Sequence, residues 1–333
     1  MKKYLILIRP YGMLFLGFTP VFSAMANGEF RFVNLGVLLI IGILTHIFSF
    51  VQNDYFDITV DKKSKYVSKR PIATGEITKR TGIAIYISSF IISIILVIVF
   101  VFSIYSMITL ILAIIFFTLY NKYSKQYFAM EYILAIGIFF FGLFGAYAAS
   151  EKISGLALIV SAVCFMQWLF SVGISANIKD VEYDTKSGIK TTPTMFGVRI
   201  SNNKLVIPIS FIIYSFFIKI VHIFIIFLSF ILGYTAFFVF NVPVPALVVS
   251  TISIILVLFT KGILSAAKEK RDKMLIYVGL QEGLSILLIP SMLMNLLIEN
   301  MGVIYTVLIF LLLIIWPIFW FRLLFGKKMI PFE

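Results

Sequence analysis

The sequence predicts an all-α fold, a polytopic bundle of transmembrane helices. Hydrophobic residues make up 61% of the 333 residues and charged residues 13%, whereas soluble domains are about 45–50% apolar and about 25% charged. The mean hydropathy is +1.06, and apolar runs of about 20 residues, the length that crosses a bilayer, recur along the chain. A soluble or disordered protein is therefore excluded, and the single cysteine excludes a disulfide scaffold.

Nine stretches are predicted as single spans, and one longer apolar tract needs separate treatment. The nine lie near residues 11–27, 34–52, 81–102, 104–121, 131–149, 155–176, 243–261, 277–298 and 302–324. The longer tract, 205–240, would measure about 54 Å as one helix, against a bilayer core of roughly 30 Å. It predicts either one tilted span with an interfacial piece or two short spans.

Basic residues indicate the orientation of the bundle. The chain has 28 Lys and Arg against 15 Asp and Glu, a net charge of +13. If the N-terminus is cytoplasmic and the tract 205–240 crosses once, 25 of the 28 basic residues lie on the cytoplasmic side. A second crossing would move the basic loop 268–273 outside, against the positive-inside rule. We therefore expect about ten spans and an integral cell-membrane protein with both termini in the cytoplasm, and no nucleic-acid partner.

Oxygen-bearing side chains form two clusters at the predicted cytoplasmic ends of the second and sixth spans. Successive members are separated by three and then four residues in both clusters: Asp54, Asp57 and Asp61 in the first, Asn177, Asp180 and Asp184 in the second. Residues at this spacing share one face of a helix. Each cluster is thus predicted as a stripe on a helix that extends its span toward water.

The segments that follow the two clusters also correspond. A basic residue and a proline come next in both, Arg70-Pro71 in the first and Lys190 before Pro193 in the second, and a glycine lies four residues after each proline. The clusters are offset by 123 residues along the chain. We interpret this correspondence as an internal repeat and hypothesise an ancestral duplication.

Three carboxylates on one helical face repel one another, and the cost rises beside a membrane. A divalent cation removes the repulsion, and ligands that are all oxygen suit Mg²⁺, which completes its shell with water and substrate phosphates. Carboxylates alone would repel a diphosphate, so a metal ion must bridge the two. Two acidic stripes with Lys and Arg nearby therefore predict a pocket for a Mg²⁺–diphosphate.

These segments resemble the signature motifs of the UbiA superfamily of intramembrane prenyltransferases. Residues 53–61 match its pattern N-D-x-x-D-x-x-x-D, and residues 69–75 resemble its R-P-x-x-x-G tail. Asp180 and Asp184 match the second motif, D-x-x-x-D, which the segment 188–193 follows.

The resemblance covers roughly residues 9–298 of one predicted membrane domain, 1–333. Family members typically have nine spans, so the last span, 302–324, looks like an addition. The resemblance implies a helical bundle around a central cavity with a cytoplasmic cap, in which a polyprenyl diphosphate ionises to an allylic carbocation that an acceptor attacks.

The resemblance also assigns roles to individual residues. The implied metal ligands and catalytic residues are Asp54, Asp57, Asp180 and Asp184, with Lys190 neutralising the leaving diphosphate. The implied substrate-binding residues are Asn53, Asp61, Arg70 and Asn177.

Three further substrate-binding candidates are Tyr120 and Lys122, which end the fourth span, and Arg9, which opens the first. Each could instead be an interfacial anchor. Glu131 departs from the Gly-Asn that related lipid-forming members tend to have, which weakens assignment to that subgroup.

The acceptor is left open by the sequence, and no dedicated base is identified. The leading expectation is geranylgeranylglyceryl phosphate, an archaeal ether-lipid precursor, because residues 179–184 resemble enzymes acting on it. The alternatives are an aromatic quinone precursor such as 4-hydroxybenzoate, transfer from an activated sugar to a polyprenyl phosphate, and a cation-coupled transporter. A transporter predicts acids deep within spans, where the sequence places Glu282 alone outside the motifs. No obligate protein partner is evident.

Overall fold

The structure is a computed structural model of the chain, and it describes residues 1–63, 67–201, 204–267 and 271–326. Helices dominate this part of the chain. In chain order they are α1 (Lys2–Ile8), α2 (Met13–Ala26), α3 (Phe32–Phe56), α4 (Ile58–Asp61), α5 (Pro71–Thr74), α6 (Lys79–Phe100), α7 (Ile104–Tyr123), α8 (Met130–Ala149), α9 (Gly155–Phe170), α10 (Val181–Ser187), α11 (Thr192–Met195), α12 (Ile209–Ile231), α13 (Val244–Ala267), α14 (Arg271–Ser285), α15 (Leu288–Met292), α16 (Met294–Met301) and α17 (Val303–Phe325).

Three short elements complete the description. A 3₁₀ turn, Pro10–Gly12, joins α1 to α2, and a π-helical segment, Ser171–Ala176, continues α9. Strands β1 (Arg199–Ser201) and β2 (Lys204–Val206) form a small antiparallel hairpin.

Ten helical segments within the described residues are long and apolar enough to cross a membrane, by length and composition. The first runs through α1 and α2, the ninth runs from Asp272 to Met292, and α17 is the tenth. The predicted all-α membrane bundle is therefore confirmed. The tract 205–240 contains one such helix, α12, which ends near Gly233, where the backbone turns left-handed (φ 72°).

The ninth span differs from its predicted position, 277–298. Helix α14 begins earlier, at Arg271, and ends at Ser285, and the short helices α15 and α16 follow. Pro290 accounts for the interruption, because a proline has no N–H to donate to the carbonyl four residues before it and its ring clashes with that carbonyl. The carbonyl in question belongs to Ile286, which lies in the turn between α14 and α15.

Glycines allow α2, α3 and α8 to pack closely. A Cβ on Gly42 of α3 would collide with the backbone of Gly17 in α2, and a Cβ on Gly145 of α8 would collide with the backbone of Pro20. Membrane helices associate through such close backbone approach, because lipid provides no hydrophobic force between them. Helix α2 is thereby fixed between α3, which carries the first acidic cluster, and α8.

Candidate active site

In both acidic clusters the helix is interrupted at the central Asp, whereas the sequence predicts a continuous helix through each cluster. Helix α3 ends at Phe56, and Asp57 adopts φ −84° and ψ 2° before α4 starts. Asp180 likewise adopts φ −106° and ψ 1° immediately before α10. The prediction of one unbroken helical stripe was therefore wrong at the central Asp of each cluster. Asp and Asn side chains favour helix caps over helix interiors because they compete for backbone hydrogen bonds.

Backbone hydrogen bonds at the two breaks are similar, and one of them repeats. The N–H of the central Asp donates four residues back in the first cluster, from Asp57 to the carbonyl of Asn53 (2.9 Å), and three residues back in the second, from Asp180 to the carbonyl of Asn177 (3.2 Å). The N–H groups of Asp61 and Asp184 then donate to the carbonyls of Asp57 and Asp180, respectively. The repeat predicted from spacing is thus present in the backbone.

The correspondence extends to the segments after the clusters. Helices α5 and α11 are each one turn long, with Pro71 and Pro193 in their first turns. Gly75 (φ 84°) and Gly197 (φ 86°) follow in the left-handed conformation that glycine adopts without strain.

The two repeats also contact each other. The hydroxyl of Tyr183, inside the second cluster, donates to the carbonyl of Val60 in the first (2.7 Å). The amide of Asn121, at the end of α7, donates to the carbonyl of Ser49 and to the side chain of Gln52, both at 2.9 Å. These bonds fix α7 against the end of α3 and α10 against α4.

Arginines neutralise the first cluster. Asp54 is 2% exposed, and its Oδ1 accepts from Arg9 and also lies 3.1 Å from the guanidinium of Arg70. Arg70 also pairs with Asp61 at 2.9 Å. Burial lowers the pKa of Arg70, but the charges of Asp54, Asp61 and Asp57 outweigh it and raise that pKa overall. Burial raises the pKa of Asp61 against the opposing charge of Arg70.

Lys125 lies within electrostatic range of acids in both clusters, and it is not among the residues predicted from the sequence. Burial lowers the pKa of Lys125, but the charges of Asp57, Asp184 and Asp180 raise it overall. Lys122, the predicted lysine, is instead exposed, and its ammonium lies 5.1 Å from the ring centroid of Tyr123. Helix α7 ends at Tyr123, so Lys125 lies in the following turn, where helical spacing gives no signal.

Tyr120 is the second predicted residue at this end of α7. It is partly buried, within electrostatic range of Asp57, Glu131, Asp184 and Asp180. Tyr120 therefore lies among acids of both clusters.

Asp184 presents an unsatisfied oxygen. Its carboxyl group is 1% exposed, and Oδ2 accepts from the hydroxyl of Thr191 at 3.4 Å. Its other oxygen, Oδ1, has no hydrogen-bond partner among the described residues. Burial raises the pKa of Asp184 to about 6, and the positive charge of Lys125 opposes this shift. The pKa of Asp57 is also raised to about 6 by burial, again against the charge of Lys125.

The remaining predicted residues are more open to solvent. Asn53, Asn177 and Asp180 are partly buried, and Asp180 lies 4.0 Å from the ammonium of Lys179. Lys190 is exposed, although the neighbouring Ile189 N–H and Thr191 hydroxyl both bond to Asp184. The predicted residues whose side chains form ion pairs with one another in the described structure are thus Arg9, Asp54, Asp61 and Arg70.

Glu131 is a buried acid in the same region. It is 4% exposed at the start of α8, and its Oε1 accepts from the hydroxyl of Thr192. A Cβ added to Gly173 would lie 3.1 Å from its Cγ, so Glu131 packs against the π-helical segment. No described Lys or Arg forms an ion pair with it.

The acids suit an open Mg²⁺ site better than a closed metal cage. Within the described ranges, no three Asp, Glu, His or Cys side chains are arranged to hold a metal ion by themselves. Mg²⁺ usually needs one or two carboxylates and takes water and substrate phosphates for the rest. The buried, unpartnered Oδ1 of Asp184 is a donor of the hard type that Mg²⁺ prefers.

The fold and these paired acidic motifs define a multi-pass integral membrane protein with a polar site at the ends of its helices. The sequence profile of the UbiA prenyltransferase family matches residues 14–278. The chain therefore belongs to the UbiA prenyltransferase family, and the resemblance seen in the motifs is confirmed.

Solved structures share this fold. A digeranylgeranylglyceryl phosphate synthase aligns with this chain at a TM-score of 0.62 and 17% sequence identity, and the alignment covers 89% of this chain and 98% of the synthase. A UbiA homolog from Aeropyrum pernix K1 has a TM-score of 0.62 and 13% identity, covering 86% and 97%. A UbiA homolog from Archaeoglobus fulgidus, bound to GPP and Mg²⁺, has a TM-score of 0.59 and 18% identity, covering 88% and 99%. No curated protein sequence matches the chain significantly.

We predict that the metal-free protein becomes more stable as the pH falls from about 7 toward 4. Asp57 and Asp184 have pKa values of about 6 in the folded state, above the roughly 3.9 of an unfolded chain. Between these values the folded state keeps protons that the unfolded state releases, so this contribution is lost as the pH rises through 6. Thermal unfolding in EDTA, followed from about pH 4 to 7, measures this pH dependence of stability.

Asp57→Asn and Asp184→Asn should each flatten this pH dependence, whereas Asp272→Asn, at an exposed position in α14, should leave it unchanged. A slope identical in wild type and in both motif variants would contradict the assignment.

Proposed function

We propose that the protein transfers a polyprenyl group from a polyprenyl diphosphate to a membrane-associated acceptor in a Mg²⁺-dependent reaction. The observation that carries the proposal is the meeting of two matching acidic motifs, which the hydrogen bond from Tyr183 to Val60 joins, with Arg9 and Arg70 paired to the first motif. Lys125 lies within electrostatic range of acids in both. The solved homolog bound to GPP and Mg²⁺ supports it.

Asp54, Asp57, Asp180 and Asp184 are the proposed ligands of Mg²⁺, and Asn53, Asp61 and Asn177 support them. A bound Mg²⁺ would neutralise the charge that develops on the departing diphosphate. Asp184 Oδ1 is the oxygen best prepared for this role, because it is buried and has no other partner in the described structure.

The basic residues of this chain bind the diphosphate in the proposed reaction. Arg70 and Arg9 pair with the first acidic motif, Lys125 lies within electrostatic range of both motifs, and Lys190 lies in the exposed segment that follows the second motif. As the bond between C1 and the bridging oxygen breaks, its electron pair goes to the diphosphate, and these cations stabilise that charge. The apolar bundle excludes water, which would otherwise capture the allylic cation.

Geranylgeranylglyceryl phosphate is the acceptor that we propose first, and 4-hydroxybenzoate is the alternative. The fold shared with a digeranylgeranylglyceryl phosphate synthase is compatible with the first, and residues 179–184 resemble enzymes of that kind. We also propose that the site faces the cytoplasm, because the motifs share their side of the bundle with most of the basic residues.

Glu131 is our candidate for the group that takes the acceptor's proton. When an acceptor hydroxyl attacks C1, its O–H bond must break as the new C–O bond forms. Glu131 is a buried carboxylate that no described cation pairs with, held by Thr192 beside the acids that surround Tyr120. A carboxylate in such a position can receive that proton.

The first test assays purified protein with radiolabelled geranylgeranyl diphosphate, Mg²⁺ and either acceptor. Asp54→Ala and Asp184→Ala should each slow product formation by about 10²–10³-fold, because each removes charge stabilisation at the reacting centre. EDTA should abolish it. Asp272→Ala, which removes the one Asp outside the motifs, is the matched control.

The outcomes separate the proposals. Product with geranylgeranylglyceryl phosphate supports the first acceptor, and product with 4-hydroxybenzoate alone supports the alternative. An absence of Mg²⁺-dependent diphosphate binding in the wild type would refute the prenyltransferase proposal.

Lys125→Met is predicted to weaken binding of the diphosphate and to slow transfer, because it removes a cation within electrostatic range of both motifs. Lys122→Met removes an exposed lysine from the same segment and should have a smaller effect on both. The comparison needs the affinity and the turnover number of each variant. Equal losses in the two variants would show that Lys125 has no special position.

Glu131→Gln is predicted to leave Mg²⁺-dependent diphosphate binding intact and to slow transfer to a hydroxyl acceptor by about 10²–10⁴-fold, the range of general-base catalysis. The amide retains an oxygen for Thr192, so the packing is preserved. Single-turnover transfer measures the effect, with the exposed Glu151→Gln as control. An unchanged rate would exclude Glu131 as the base.

A further inference from the structure

Arg9 has an unusual backbone conformation at the edge of the acidic site. It lies between α1 and the 3₁₀ turn with φ 49° and ψ 62°, in the left-handed region. A residue with a Cβ is strained in this conformation, because its Cβ lies too close to the following carbonyl oxygen. Such residues persist where the surrounding structure holds them.

Helix α17 holds the two residues that follow Arg9. The indole N–H of Trp316 donates to the carbonyl of Pro10 at 2.6 Å. The ring of Tyr11 stacks on Phe321, with centroids 4.4 Å apart, and meets the edge of Phe325 at 5.8 Å. The turn after Arg9 is therefore attached to α17 by one hydrogen bond and an aromatic cluster.

The side chain of Arg9 continues this chain of contacts into the site. Its guanidinium lies 4.9 Å from the ring centroid of Phe50 and forms an ion pair with Asp54. On the other side of Arg9, His46 Nε2 lies 3.2 Å from the carbonyl of Ile8. Arg9 is thus fixed from α3 and from α17, with its charge on the first acidic motif.

Helix α17 lies outside the residues of this chain that the family profile matches. The family profile ends at residue 278, and α17 begins at Val303. The solved synthase is covered over 98% of its length while 89% of this chain is covered, so roughly a tenth of this chain has no counterpart there. The contact between α17 and Pro10 therefore joins two segments that both lie outside the residues matched by the family profile.

We propose that α17 is a positioning element for the diphosphate site, and that Trp316 is its positioning residue. Through Pro10 and Tyr11 it holds the Arg9 turn so that the guanidinium faces Asp54. This inference rests on the proposed function for its catalytic consequence, whereas the placement of Arg9 is testable without substrate. A helix that only adds packing to the bundle would not affect Arg9 specifically.

Trp316→Phe and Trp320→Phe form a matched pair in the full-length protein. Both replace an indole on α17 with a phenyl ring, and the two rings contact each other. The N–H of Trp316 bonds to Pro10, whereas the buried N–H of Trp320 has no partner among the described residues. Only the first substitution removes the bond to the Arg9 turn.

The first measurement requires no substrate. The protein is treated with phenylglyoxal, an arginine-specific reagent, and modification of Arg9 and Arg70 is followed by peptide mass spectrometry. We expect Trp316→Phe to speed modification of Arg9 by roughly 2–10-fold, the range set by one hydrogen bond, with Arg70 unchanged. Trp320→Phe should match the wild type at both. Equal Arg9 rates in the two variants would overturn the proposal.

The second measurement is the affinity for geranylgeranyl diphosphate with Mg²⁺. We expect Trp316→Phe to weaken this affinity by a similar factor. In a protein that already carries Arg9→Ala, Trp316→Phe should cause no further loss, because both changes act through the Arg9 guanidinium. Additive losses would overturn the positioning role. If the wild type fails to bind the diphosphate while the phenylglyoxal result holds, the proposed function fails and the placement of Arg9 by α17 stands.

Discussion

The burial of several carboxylates at the ends of two membrane helices is the constraint on which the rest of this structure depends. Asp54, Asp57, Asp61 and Asp184 are each at most 5% exposed. Taking like charges out of water is costly unless cations and hydrogen bonds compensate. The Arg9 turn, the segment that carries Arg70 and the turn that carries Lys125 all bring cations to these acids. Much of the local fold at this end of the bundle therefore compensates buried charge.

The two repeats have a similar backbone, but their buried carboxylates have different partners. Both break the helix at the central Asp and end in a one-turn helix and a left-handed glycine. In the first repeat, arginines form ion pairs with the carboxylates. In the second, Asp184 keeps an unpartnered oxygen. The repeated backbone thus carries one cluster whose carboxylates are paired with arginines and a second cluster in which an oxygen of Asp184 is left for a ligand.

Hydropathy and spacing predicted the bundle and both acidic clusters, because span length and side-chain periodicity are local properties of the chain. They did not predict the breaks at Asp57 and Asp180, because helical periodicity assumes a helix that continues. Lys125 was missed for a related reason, since it lies beyond the end of α7, in a turn with no periodic signal. The ninth span runs from Asp272 to Met292 instead of 277–298, and Pro290 interrupts the helix in a run that is otherwise apolar. The contact between Trp316 and Pro10 joins residues 306 positions apart, which no local pattern reports.

The pairing of Arg9 and Arg70 with Asp54 also bears on how an anion can enter. A diphosphate approaching the acids alone would meet repulsion that a low-dielectric setting strengthens. The guanidinium groups reduce this barrier, because they can exchange a carboxylate oxygen for a phosphate oxygen and keep an anionic partner throughout. Asp54 would be left without a partner by that exchange, and a buried unpaired carboxylate is costly. The arrangement therefore favours arrival of the diphosphate together with a cation that Asp54 can bind, which makes the arginines and the acidic motif interdependent parts of one site.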